Sequence, residues 1–92
     1  MSVTIADITF DRVRYDADAD VLYLHKADPS DAVDFDESPE GHHLRFDRDG
    51  GLIGITIVGP RWLLENEGEV RITLPELVSI DRHTLDEALT TA

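Results

Sequence analysis

The sequence predicts an α+β domain rich in strand, with a mostly antiparallel five-stranded twisted sheet or half-open barrel and two short helices. Apolar and polar residues alternate through the first two thirds of the chain, the signature of half-buried strands. Asp-Gly and Gly-Pro breaks cut that alternation at hairpin spacing. A chain of 92 residues also supports one core rather than two, so residues 1–92 are read as a single domain.

The first hairpin runs from Ile8–Tyr15 to Val21–Lys26 around the loop Asp16-Ala-Asp18-Ala-Asp20. A four-residue loop aligns Val13 and Tyr15 with Leu24 and Leu22, whereas a shift of one aligns them with Tyr23 and Val21; periodicity leaves both open. Both faces of Val21–Leu24 are apolar, which places that strand inside the sheet or covers it on both sides. Val33–Glu37 alternates next, and the break Ser38-Pro39-Glu40-Gly41 turns it back onto Leu44–Asp47. Centring that turn on Glu40-Gly41 pairs Phe35 with Phe46, Asp36 with Arg45 and Asp34 with Asp47. Asp49-Gly50 is the strongest hairpin signal, and a two-residue loop there sets Phe46 opposite Ile53 and Leu44 opposite Ile55.

Gly59-Pro60 ends the strand through Val58. Pro60 suits the first position of a helix over Arg61–Asn66 that stops at Gly68. Val70, Ile72 and Leu74 alternate with Glu69, Arg71 and Thr73 to form the fifth strand, closed by Pro75, while Leu77–Ile80 is ambiguous. The capping-box pattern Thr84-Leu85-Asp86-Glu87 begins a terminal helix, with His83 at its start.

Composition then narrows the function classes. With no cysteine there is no disulfide, no thiolate nucleophile and no sulfur-bound metal. No apolar run is long enough to cross a bilayer, and Met1–Phe10 lacks the character of a signal peptide, so the expected setting is the cytoplasm without a membrane partner. Twenty acids against eight bases give a formal charge of −12, a field that repels nucleic acid and would steer a basic protein inward.

The run Tyr15-Asp16…Asp20-Val21-Leu22-Tyr23-Leu24, followed by Phe46-Asp47…Asp49-Gly50-Gly51-Leu52-Ile53-Gly54-Ile55-Thr56-Ile57, resembles the YuzE-like family of small bacterial proteins. The likeness spans roughly Arg14–Val58, with a longer insert at Asp28–His42 and a tail beyond Gly59 that does not align. It implies a small β-rich domain without an established activity, and an antitoxin-like role beside a toxin-like partner.

The acidic loop offers aspartates at alternate positions, as a hard cation wants, yet Val21 and Ala27 stand where a calcium loop needs Gly and Glu. An Asx-stabilised turn explains it better. His25, His42 and His43 suit a transition metal only if they converge, and adjacent histidines on a strand face opposite ways. Neither a metal nor a cofactor is assigned. Thirteen aspartates guarantee accidental carboxylate pairs, and no nucleophile or phosphate-loop motif is present, so no catalytic residue is assigned and the reading leans away from an enzyme.

Arg12, Arg14 and Arg45 form a basic strip on one sheet face, for which pairing with Asp11, Asp34 or Asp36 is the simpler expectation. Trp62 either caps the core or, with Arg61, Leu63 and Tyr23, forms an interaction surface. The expected function is a non-catalytic protein-interaction module, homodimeric through a sheet edge or the Trp62 helix, with a basic protein as further partner. The alternative is a small-molecule or metal-binding domain with hydrolytic chemistry built on the histidines and the Asp-rich loops.

Overall fold

A computed structural model describes residues 2–74 and 76–91. A five-stranded antiparallel sheet dominates, built from β3 (Arg12–Asp16), β4 (Val21–His25), β5 (Asp34–Glu37), β6 (His43–Phe46) and β7 (Leu52–Val58) in the order β3-β4-β7-β6-β5. One face carries Leu22, Leu24, Leu44, Ile55 and Ile57 into the core, joined by the partly buried Val13, Tyr15, Phe46 and Leu52.

The layer over that face comes from the ends of the chain. The hairpin of β1 (Val3–Ile5) and β2 (Ile8–Phe10) contributes Val3, Ile5 and Phe10. Helix α1 (Pro60–Glu67) contributes Leu64, the hairpin of β8 (Val70–Thr73) and β9 (Leu77–Ile80) adds Val70, Ile72 and Ile80, and helix α2 (Arg82–Thr91) adds Leu85 and Ala88.

The expected strand Ile8–Tyr15 is divided: its first part pairs with β1 and its second with β4. Ala6 and Asp7 form the β1–β2 corner with φ of 52° and 65°, the two positive values that a two-residue hairpin turn requires. Ala-Asp lacks the glycine that would have announced such a turn. The expected fifth strand is likewise corrected, since β8 pairs with β9 in a separate hairpin and leaves the five-stranded sheet to others. Its proposed stop at Pro75 lies outside the described residues.

In the β3–β4 hairpin Val13 pairs with Leu24 and Tyr15 with Leu22, the four-residue-loop alternative. β4 lies inside the sheet, between β3 and β7. Its buried residues are Leu22 and Leu24, while Tyr23 remains partly exposed on the other face.

The registers on either side of β6 depart from expectation for one shared reason. At Ser38–Gly41 and at Asp47–Gly50 the fourth residue donates its amide to the carbonyl of the first, at 2.9 and 3.0 Å. Each corner then closes one residue later, Ser38 N–H on His42 and Asp47 N–H on Gly51. Both loops therefore hold three residues and end in a glycine of positive φ, Gly41 at 91° and Gly50 at 82°.

At the first corner the extra residue shifts β5 by one, so Phe35 lies opposite Arg45 and Asp36 opposite Leu44. Phe35 leaves the apolar face and is 63% exposed. At the second, an irregularity between Arg45 and Phe46 absorbs the shift: Leu44 keeps Ile55, while Phe46 pairs with Leu52 in place of Ile53.

The outer edge of the sheet is chemically closed. Because Ser38 directs its amide at His42, two-residue alternation turns the amides of Phe35 and Glu37 away from β6. Those amides donate to the carboxylates of Asp34, at 2.9 Å, and Asp36, at 2.8 Å. Another strand seeking this edge would meet donors already engaged and a row of negative charge.

Helix α1 starts at Pro60 and stops at Gly68, whose φ of 77° lets its amide reach the carbonyl of Leu64 at 3.0 Å. Helix α2 begins two residues before Thr84. Asp81 is its cap, accepting the Thr84 amide at 2.8 Å, and that bond first of all holds the Asp81 carboxyl below its usual range. No helix among the described residues is long and apolar enough to cross a membrane.

Candidate site on the open sheet face

Alternation sends a second set of side chains to the face that nothing covers. Read across the strands, Arg12, His25, Gly54, Arg45 and Phe35 form one row. Arg14, Tyr23, Thr56, His43 and Glu37 form the next. Three arginines, two histidines and two aromatic rings thus share a surface of an otherwise acidic chain.

Arg14 and Arg45 are held by rings instead of acids. The guanidinium carbon of Arg14 lies 5.1 Å from the Tyr23 ring centre and that of Arg45 lies 5.6 Å from Phe35. Among the described residues, ion pairs join Arg71 to Glu69 and His83 to Glu87, and none joins Arg12, Arg14 or Arg45 to the acids expected to neutralise them. For Arg45 the one-residue shift of β5 is the cause, because it replaces Asp36 by Phe35 opposite that residue.

Between these groups lies a hollow of about 530 Å³ lined by Arg12, Arg14, Tyr23, His25, Arg45 and Thr56, with Asp11 at its margin. Gly54 shapes its floor. A Cβ there would stand 2.9 Å from the His25 ring and 3.2 Å from the Cβ of Arg45, so the missing side chain is what lets the imidazole lie across β7. His25 Nδ1 donates to the Lys26 carbonyl at 3.2 Å, since a carbonyl oxygen can only accept. Nε2 is packed over Gly54, shut off from solvent, and has no hydrogen-bond partner among the described residues.

The other sequence-selected residues are dispersed. His42 and His43 face opposite sides, as adjacent strand residues must: His43 is exposed and His42 buried. His42 Nδ1 accepts the Val58 amide at 3.1 Å. No group of three or more His, Asp and Glu among the described residues is placed to hold a metal ion. Asp16 makes the expected Asx turn, accepting the amides of Asp18 and Ala19 at 3.1 and 3.2 Å.

Trp62 is 59% exposed and does not cap the core; Leu63 is partly buried against it, and Arg61 stacks over Tyr15 at 5.3 Å. Gly54, Thr56 and Phe35 were not selected from sequence. Phe35 joins the open face only through the turn geometry.

Burial disfavours charge on His42 and is the main reason its pKa lies below the ordinary 6.5, with Glu40 opposing and His43 assisting. The unfolded chain therefore binds a proton more readily than the folded one. Stability is fully present above the ordinary value and is lost as pH falls through it. The urea midpoint is expected to drop between about pH 7.5 and about pH 5.5, and His42→Gln should flatten that slope. An unchanged slope in His42→Gln would assign the effect to other groups.

The fold and this face define a small β-rich domain with a three-arginine, two-ring surface on one side of its sheet. A family model described as "Protein of unknown function (DUF2283)" matches residues 12–59, just over half of the chain, and the chain belongs to that family. The match runs from the start of β3 to Gly59, the whole five-stranded sheet with its open face. Neither the curated proteins nor the solved structures hold a match.

Proposed function

We propose that this chain is a non-catalytic protein-interaction module of the cytoplasm that docks its partner on the open face of the sheet. One observation carries the reading: Arg12, Arg14 and Arg45 stand on an uncovered face beside Tyr23 and Phe35, with no acid in ion-pair range among the described residues. Arginine, tyrosine and tryptophan dominate interface energies, and Val58 at the end of β7 and Trp62 on α1 are further exposed apolar groups, at 46% and 59%.

The YuzE-like likeness implies an antitoxin-like binding role, and the residues that carry it fall inside the family-matched segment. A basic partner, the antitoxin-like reading, would be steered instead to the acidic edge of Asp34, Asp36 and Glu37. Self-association through β5 is opposed by the capped amides, which leaves the β3 edge or the Trp62 corner for a second copy.

The test compares proteins retained from an extract by the wild type and by the triple variant Arg12→Gln, Arg14→Gln, Arg45→Gln. A protein held by the wild type in a salt-sensitive manner and released by the variant is the expected result. Retention of the same set by both, with the variant folded by circular dichroism, overturns the reading.

A further inference from the structure

We infer that the hollow over Gly54 is a binding site for a phosphate monoester, held by Arg12, Arg14 and Arg45 around the phosphoryl oxygens, with the His25 ring as part of its wall. The inference rests on the open face being the working surface and adds the chemistry of what it holds.

Charge supplies the first argument. Three arginines line one hollow without an acid in ion-pair range among the described residues, and each guanidinium carries five donors in a planar fork. A planar carboxylate presents its two oxygens in one plane, whereas a phosphoryl group offers three oxygens in three directions to arginines arriving from β3 and β6. Asp11, also at the margin, is the one carboxylate lining the hollow.

Size and the surrounding field favour a compact ligand over a polymer. The volume of about 530 Å³ suits a molecule of mononucleotide size or one phosphorylated side chain. A polyanion running past the rim would meet Asp11, Asp16, Asp34, Asp36 and Glu37 in a chain of charge −12.

The test titrates inorganic phosphate into the full chain, following the side-chain NMR signals of the arginines and His25. Saturable shifts confined to Arg12, Arg14, Arg45 and His25 are expected, and Arg45→Gln should weaken binding by about tenfold or more. A phosphoserine peptide and a mononucleotide then distinguish the two sources, the tighter naming the ligand.

Absent shifts, shifts that survive Arg45→Gln, or binding confined to single-stranded RNA or an oligoglutamate peptide overturn the inference. Phosphate could fail while a partner is still released by the triple variant; that result removes the phosphate site and leaves the docking face standing.

Discussion

Excised from the chain, residues 12–59 are expected to be unfolded although they contain the complete five-stranded sheet. The reason is where the core comes from. Of the buried residues that form the central cluster, five (Leu22, Leu24, Leu44, Ile55 and Ile57) lie in the family-matched stretch, and nine come from the flanks. Phe10, Val70, Ile72 and Leu85 are all less than 2% exposed, and they cover the apolar face of the sheet. Without them that face meets water, and a sheet of about 48 residues with one naked side falls below the size at which a lone core is sustained.

A smaller excision points the same way. Phe10→Ala in the full chain should cost about 3–5 kcal/mol, the range for emptying a fully buried aromatic site. Circular dichroism and urea titration of the fragment, beside the full chain and Phe10→Ala, measure both effects. A cooperative transition in the fragment would show that the sheet is stable without its covering layer. The family resemblance therefore marks the part that presents the open face, while the flanks supply most of the buried cluster.

How much of this was legible depends on whether a feature is set by neighbours in sequence or by distance in space. Alternation identified the strands of the sheet because a half-buried strand must repeat every two residues, and Pro60 with Gly68 bracketed α1 because those residues act through their own backbone. Loop length was not legible in the same way. Asp49-Gly50 suits a two-residue turn, but the Asp47 side chain accepts the amides of Asp49 and Gly51 at 3.0 and 2.8 Å and stabilises a three-residue loop. That shift by one residue, repeated at Ser38–Gly41, turned Phe35 outward and removed the acid expected opposite Arg45. The candidate site is thus a consequence of turn chemistry that alternation cannot report, even though Arg12, Arg14 and Arg45 were recognisable as sharing a face.

Asp20 shows the other limit, and its replacement should be the most damaging single change in the loops. It is the last aspartate of the acidic loop and was read with Asp16 and Asp18 as local turn chemistry. Its carboxylate instead reaches across the fold to α1, accepting the amides of Arg61 at 3.1 Å and Trp62 at 3.2 Å, and it accepts the Tyr15 hydroxyl at 2.7 Å. Its carbonyl takes the Gly59 amide at 2.8 Å. Gly59 itself occupies the cap position with no side chain to offer, so a residue some forty positions earlier caps the helix.

Asp20→Ala removes the cap, worth about 0.5–2 kcal/mol, and strands the Tyr15 hydroxyl, worth about 1–3 kcal/mol. It also places a Cβ with no polar compensation at φ 53°, a conformation that asparagine, aspartate and glycine tolerate best. The combined loss should be about 2–4 kcal/mol, with a fall in Tm of roughly 10–25 °C for a domain of this size.

The three contributions separate by substitution. Asp20→Asn keeps an acceptor and tolerates the backbone, so it should cost least; Asp20→Gly relieves only the backbone and should lie between. Tyr15→Phe, alone and combined with Asp20→Ala, isolates the hydroxyl bond. Since the same carboxylate fixes the first turn of α1, Asp20→Ala should also loosen Arg61 and Trp62, read as faster amide exchange there than in β7. Equal stability of Asp20→Ala and Asp20→Asn would show that the carboxylate is not what holds this corner together.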